Sequence, residues 1–321
     1  MDNALVTCEN LVKIYSAADL EVVALQGLDL EIAPGEMVAV VGASGSGKTT
    51  LLNMLGALDI PSAGRCFVSG NDLTRLNDAQ RTNYRCFTAG HIWQQSGRNL
   101  LPELTISENI TLPQMLGGAN ARARNRRTRE LLERTGIAHL ANKRPSQTSG
   151  GEQQRAGICV ALANSPVLLL ADEPTGELDT TTANEILGLL HELNRELGLT
   201  ILIVTHDITV ASGADRTIAI RDGRVSTETV RRDAPLGVER ADGGGASSAV
   251  IGLPSETHRE SVLIDRVGRL QLPHEAIVRV PFNGRADVRI LDDHVEIWPA
   301  QDAAAAPAPA MNHAPTRHEE A

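Results

Sequence analysis

A glycine-rich octapeptide, set between an apolar run and the start of a helix, constrains this chain more than any other feature. Residues 42–49 read Gly-Ala-Ser-Gly-Ser-Gly-Lys-Thr, following the apolar run 37–41 and preceding Thr50-Leu51-Leu52-Asn53-Met54-Leu55. Strand, glycine loop and helix in that order are the context in which such a loop binds phosphate. The glycines let the backbone curl so that successive N–H groups face one anion at the positive end of a helix dipole. Gly42, Ser44, Gly45, Ser46 and Gly47 are the expected cradle. Lys48 is placed to reach the β- and γ-phosphates, and the Thr49 hydroxyl to hold Mg²⁺.

Two further apolar runs have the composition of strands buried on both faces. One covers 167–171 and leads into Asp172-Glu173; the other covers 201–204 and leads into Thr205-His206-Asp207. Between them Ile186, Leu189, Leu190 and Leu193 recur at helical spacing. This strand–helix–strand pattern predicts an α/β fold with a mainly parallel sheet covered by helices. Ligands of such sheets sit beyond the carboxyl ends of the strands. The glycine loop, Asp172-Glu173 and His206 are therefore expected to converge. A carboxylate at the end of a buried strand is costly unless compensated, which makes Asp172 a candidate Mg²⁺ ligand. Glu173 is the candidate to accept a proton from an attacking water, and His206 to hold that water against the γ-phosphate.

Ser149-Gly150-Gly151-Glu152 opens another helix. Ser149 and Glu152 have the spacing of a capping box, which accounts for both. The two glycines weaken a first helical turn and fit a phosphate approaching its exposed N–H groups.

With these motifs in place, the order GASGSGKT, SGGEQQR, LLLADEPTGELD and THD resembles the ABC-type ATPases over residues 5–225. The resemblance implies a P-loop NTPase with an antiparallel β subdomain and an α-helical subdomain, hydrolysing ATP with Mg²⁺ as a head-to-tail homodimer. By it, Asp172 is the Walker B aspartate, Glu173 the catalytic glutamate and His206 the switch histidine. Thr50 joins the nucleotide-binding set, Tyr15 stacks on adenine, and residues 177–179 form the D-loop at the dimer interface. Ser149, Gly150 and Gly151 close over the nucleotide bound by the other copy. The glutamine that reaches Mg²⁺ and water lies near Trp93, where Gln94 and Gln95 are both available and spacing from Gly90 favours Gln94. Thr148 stands where the signature usually has leucine. LLNMLGALDIPSAG and NLLPELTISENI are similar to ATPases of macrolide-exporter and lipoprotein-releasing transporters, which implies a separate membrane permease as partner.

The remaining chain is less informative. The resemblance implies an ATPase domain over 1–225, and composition marks a linker over 226–258 around Gly243-Gly244-Gly245, a small β-rich module over 259–300 and an Ala/Pro-rich tail over 301–321. Within the module, IDRVGRLQLP, a short helix and VRILDDHVEIWP resemble the swapped-hairpin domain of AbrB-type regulators. Such hairpins bury their core by dimerising. The module's acidic surplus points to dimerisation or regulation rather than DNA binding, so DNA is not an expected partner. The alternative is a soluble ABC ATPase with a regulatory or DNA-binding C-terminal domain. The net charge of −10 argues against nonspecific nucleic-acid binding. No apolar run reaches about 18 residues. The expected location is cytoplasmic, peripheral to the inner face of the membrane through the permease. Cys8, Cys66, Cys86 and Cys159 form no CxxC pair and are expected as reduced, buried thiols. Arg122, Arg124, Arg126, Arg127 and Arg129 form a basic cluster on a predicted helix, read as a solvated face or as a contact with a partner or an anionic membrane.

Overall fold

The computed structural model describes residues 4–17, 20–231, 258–262, 270, 272, 274–280, 282, 286–291 and 295–299. The chain divides into two compact units, Met1–Gln271 and Leu272–Ala321.

In the first unit the elements in order are β1 (Val6–Ala17), β2 (Leu20–Ile32), β3 (Met37–Val41), α1 (Lys48–Leu55), β4 (Ala63–Val68), β5 (Asn71–Asp72), α2 (Asp78–Phe87) and β6 (Ala89–Ile92). They continue with α3 (Ile106–Leu116), α4 (Ala121–Arg134), α5 (Gly150–Ala161), β7 (Leu168–Asp172), α6 (Thr180–Leu197), β8 (Thr200–Thr205), α7 (Ile208–Gly213), β9 (Arg216–Arg221), β10 (Arg224–Arg231) and β11 (His258–Val262). The core sheet has the order β11-β10-β9-β3-β8-β7-β6, and a second, antiparallel sheet has the order β2-β1-β4-β5. Strands β9, β3, β8, β7 and β6 are mutually parallel, while β10 and β11 complete one edge antiparallel. The parallel P-loop core, the antiparallel sheet and the helices α3 and α4 are the arrangement expected from the sequence.

The core strands read as continuous apolar runs because both of their faces are buried, and strand alternation divides the side chains between two cores. Ala39, Leu169, Ala171, Ile201 and Ile203 face the helical side, packing with Ile158 of α5 and Ile186 and Leu190 of α6. Val38, Val40, Leu168, Leu170, Leu202 and Val204 face the other side, packing with Leu51 and Leu52 of α1 and with Val6 and Leu28 of the antiparallel sheet. Each fully buried leucine of this kind stabilises by roughly 2 kcal/mol through removal from water.

The helices begin where the local sequence stops them fraying. Asn77 with Gln80, Thr105 with Glu108 and Ser149 with Glu152 form reciprocal caps at the starts of α2, α3 and α5. Asp179 caps α6, which ends at Gly198 in the left-handed conformation. Helix α1 differs: it starts after left-handed Gly47 with no side-chain cap, so its first N–H groups are held by no side chain of the chain itself.

Ordered strands enter both ends of the stretch 226–258 that composition marks as a linker. β10 runs to Arg231, and β11 returns along it with Thr229 opposite Glu260 and Arg231 opposite His258. The charged residues hide the β-branched Thr227, Thr229 and Val230, which favour a paired strand. The rest of that stretch, the tail and most of the strand expected at 268–273 lie outside the described residues. In the second unit, α8 (His274–Arg279) precedes a hairpin of β12 (Ala286–Ile290) and β13 (Val295–Pro299), close to the helix and hairpin expected there.

Arg216 ties the two sheets of the first unit together. Its guanidinium donates to Glu36 at 2.6 Å, to Glu228 at 2.8 Å and to the Glu31 carbonyl at 2.5 Å. Replacing Arg216 with Met leaves Glu36 and Glu228 as neighbouring carboxylates without their shared cation. The expected loss is about 2 kcal/mol in urea unfolding. An unchanged midpoint would show that this ion pair does not hold the sheets together.

Candidate active site

Parallel register brings the chemical residues to one edge of the core sheet. Val41 lies opposite Thr205, Val204 opposite Asp172, and Ala171 opposite Ile92. One step beyond this line the chain reaches Gly42 from β3, His206 from β8, Glu173 from β7 and Trp93 from β6. Gln94 is the next residue after Trp93.

On the loop, the Lys48 ammonium donates to the carbonyls of Gly42 and Ala43 at 2.9 Å each. Its charge is felt at both Asp172 and His206, opposing protonation of each. Gly47 has a φ of 104°, and a Cβ there would come within 2.5 Å of the Ala24 carbonyl. The loop can therefore pass over the antiparallel sheet only with glycine at this position. Ser46 is buried, with its hydroxyl lacking a partner, while its backbone is held by Ala43 and Gly223. A buried orphan hydroxyl costs about 1–3 kcal/mol, which an oxygen anion seated on the loop would offset.

Thr49 donates from its hydroxyl to Asp172 Oδ2 at 3.2 Å. Asp172 is 7% exposed, and burial raises its pKa, with Glu173 adding to the effect. A hydroxyl and a buried carboxylate, both with oxygen donors, fit Mg²⁺, which takes few protein ligands and keeps several waters. A cation there would also relieve the cost of the buried charge.

Glu173 sits at a φ of 48°, a left-handed conformation uncommon for a residue with a side chain. Its carboxylate accepts from the Thr205 hydroxyl at 3.3 Å and from His206 Nδ1 at 2.7 Å. Thr205 also accepts from the Asp207 amide at 3.0 Å, so one hydroxyl fixes both the carboxylate and the turn that carries His206. The sequence reading missed Thr205; its signal was its place as the last residue of a buried strand. The hydrogen bond to Glu173, and then the charge of that carboxylate, raise the pKa of His206.

Tyr15 is 38% exposed at the margin of the antiparallel sheet, with the Lys13 ammonium 4.8 Å from its ring centroid. Lys13 is itself anchored to Asp59 at 2.7 Å. The Thr50 and Asp59 side chains act on the Tyr15 phenol, whose pKa is raised first by burial. The ring thus belongs to the neighbourhood of α1, where an aromatic face next to the phosphate loop can stack on a base. The Lys13–Asp59 support was invisible in sequence, because its members are far apart in the chain.

Gln94 and Gln95 are both exposed. The Asn99 side chain bonds both the amide and the carbonyl of Trp93, at 2.9 and 3.2 Å, fixing the turn that carries them. Gln95 begins the short 3-10 turn Ser96–Asn99, leaving Gln94 as the residue nearer the strand end.

At the start of α5, the Ser149 amide donates to Glu152 at 2.7 Å and the Ser149 hydroxyl donates to the same carboxylate at 2.9 Å. No hydrogen bond among the described residues joins Ser149, Gly150 or Gly151 to the loop 42–49. Gly151 has a local reason to be glycine, since a Cβ would lie 2.4 Å from Thr182 Cγ2. Thr182 cannot easily yield, because its hydroxyl is bonded to Asp179 at 2.7 Å. Gly150 has room, with its nearest neighbour Leu178 at 3.6 Å. Of the two glycines, Gly150 alone keeps phosphate approach as its main explanation. Asp179, expected at a dimer interface, here caps α6 through Thr181 and Thr182.

Fold and site together define a P-loop nucleotide-hydrolysing protein, and comparison with known proteins narrows the class. The ABC transporter family matches residues 25–176. The lipoprotein-releasing system ATP-binding protein LolD of Ruegeria pomeroyi is 47% identical over 209 residues, covering 65% of this chain and 91% of that protein. An uncharacterized ABC transporter ATP-binding protein of Thermotoga maritima is 45% identical over 213 residues, 66% of this chain and 90% of that one. The macrolide export ATP-binding/permease protein MacB 2 of Aeromonas hydrophila is 42% identical over 238 residues, 74% of this chain but 36% of its own length. Among solved structures, the dimeric post-hydrolysis state of the ATP-binding cassette MJ0796 bound to ADP and Pi superposes with a TM-score of 0.64 at 40% identity, covering 70% of this chain and 97% of that one. The chain belongs to the ABC transporter family as one of its ATP-hydrolysing subunits.

Two outcomes are expected. Gly151→Ala should destabilise by about 1–3 kcal/mol through the clash with Thr182, and Thr182→Ser, which removes the offending methyl, should restore most of the loss. Additive losses in the double variant would exclude that contact. In an NMR titration, His206 should titrate above its ordinary value, and Glu173→Gln should bring it back down. The stabilisation from this pair is present below the unfolded histidine pKa and is lost as pH rises through the raised folded value. An unshifted His206 in the parent would contradict the pairing.

Proposed function

We propose that this chain binds MgATP between residues 42–49 of one copy and Ser149–Gly151 of a second, and that hydrolysis drives a separate membrane permease of the macrolide-exporter or lipoprotein-releasing type. The observation that carries the reading is the convergence, on one edge of the sheet, of a Thr49–Asp172 pair suited to a cation and a Glu173–His206 pair suited to a water. The dimeric state of MJ0796 and the names of the LolD and MacB relatives support the two-copy arrangement and the permease. Mg²⁺, held by Thr49 and Asp172 with Gln94, would supply positive charge to the phosphate oxygens.

The chain's own groups perform the rest. Lys48, the loop amides and Thr50 hold the nucleotide, and Tyr15 stacks on the base. Glu173, fixed by Thr205, takes a proton from the attacking water, and His206 orients that water and the γ-phosphate. Ser149 and Gly150 close the site in trans, so ATP holds two copies together until it is cleaved. No helix of the described residues is long and apolar enough to cross a membrane. A groove of about 610 Å³, lined by Leu58, Phe87, Pro113 and Leu116, offers that permease an apolar seat. His91 also lines it, one strand end away from Gln94, so docking and catalysis share β6. The unit beyond Gln271 serves dimerisation or regulation.

Glu173→Gln should lower ATP turnover about a thousandfold while leaving ATP binding intact. Size-exclusion chromatography should then show an ATP-dependent dimer. Turnover at the parental rate would remove Glu173 as the base.

A further inference from the structure

The arginines of α4 separate into two groups once their contacts are known. Arg124 and Arg127 turn inward: Arg124 donates to the Ala119 carbonyl at 2.7 Å, and Arg127 bonds Glu130 and the Leu162 carbonyl at 3.0 Å each. Arg122, Arg126 and Arg129 are exposed and recur at i, i+4 and i+7, which places them on one stripe of the helix. Among the described residues no acid pairs with them. Glu130, beside the stripe, is already bonded to Arg127 and Arg134.

Local energetics do not explain this stripe. The first turn of α4 has no acidic residue and begins at an Asn120 cap, so Arg122 sits at the positive end of the helix dipole. A cation there is unfavourable. The chain as a whole carries a net charge of −10, so the stripe opposes the prevailing sign as well. Features that break local rules without a local gain mark places where another molecule supplies the gain.

The chemistry of the stripe selects the partner. Arg122, Asn125, Arg126 and Arg129 line one shallow concavity of about 620 Å³ together with Glu130 and Glu133, and no apolar side chain lines it. Specific protein interfaces concentrate binding energy in buried apolar and aromatic anchors, with charge depleted at the centre. A row of free guanidiniums without an anchor fits instead a surface that offers phosphates at any spacing. We propose that the exposed arginine stripe of α4 is a docking surface for the anionic phosphate headgroups of a lipid bilayer, made directly by this chain and independent of any permease.

The test uses the full chain and permease-free vesicles in a flotation assay. The parent should bind equimolar phosphatidylcholine–phosphatidylglycerol vesicles more tightly than pure phosphatidylcholine vesicles, and added salt should weaken the binding. The triple variant Arg122→Gln/Arg126→Gln/Arg129→Gln should lose affinity on the order of a hundredfold. Its ATP turnover in solution should be unchanged, which separates this contact from the catalytic reading. The triple Arg→Lys variant should retain binding, showing that charge and not helix integrity is at issue. Equal binding to neutral and anionic vesicles, or undiminished binding by the glutamine variant, would overturn the proposal. So would a stripe-dependent affinity for DNA or an acidic peptide in the absence of vesicle binding.

Discussion

Thr49 and Asp172 meet across the carboxyl edge of the core sheet, and nearly everything else in the first unit serves to make that meeting possible. The two residues belong to α1 and β7, separated in the sheet by β8, and they approach only if β3, β8 and β7 are parallel and in register. Register is fixed by burial on both faces: a one-residue slip would exchange the side chains of Leu169 and Leu170 between two differently shaped cores. The apolar runs therefore do more than build a core. They bring a hydroxyl to within hydrogen-bond distance of one carboxylate and an imidazole to within the same distance of the next.

The same edge shows how strain and function coincide. Glu173 is held in a left-handed backbone conformation immediately after a fully buried strand. Its carboxylate points to Thr205 and His206 while Asp172, one residue earlier, points to Thr49. Two adjacent acids thus take separate partners: one faces a prospective cation and the other a prospective water. Helix α1, left without a side-chain cap, and Ser46, left with an orphan hydroxyl, place further unmet hydrogen-bonding capacity beside the same pair.

Much of this was legible in the sequence where the signal is local. The strand–loop–helix order around 42–49, the buried runs apart from exposed Val167, and the Ser149 cap are written in consecutive residues, and the structure has them as read. Contacts between distant residues were not legible. The methyl of Thr182 against Gly151, the Thr205 hydroxyl under Glu173 and the Lys13–Asp59 platform beneath Tyr15 each join segments with no shared periodicity. Cys8 and Cys66 are a similar case: the scattered thiols lie 3.8 Å apart on paired strands, buried and reduced. The return of β11 onto β10 was hidden because charge outweighed β-branched residues in a composition-based boundary.

The central claim is that the site is complete only when two copies of the chain come together. In one copy, the Thr49–Asp172 and Glu173–His206 pairs are assembled, whereas Ser149 and Gly150 make no bond to the loop they are proposed to serve. Mixing two inactive variants tests this directly. A Lys48→Ala chain lacks the phosphate grip, and a Ser149→Arg chain blocks the closing surface. In a mixed head-to-tail dimer, one site combines both defects and the other has neither. The account predicts that the mixture hydrolyses ATP faster than the sum of the two variants measured separately. A mixture no more active than that sum would contradict it.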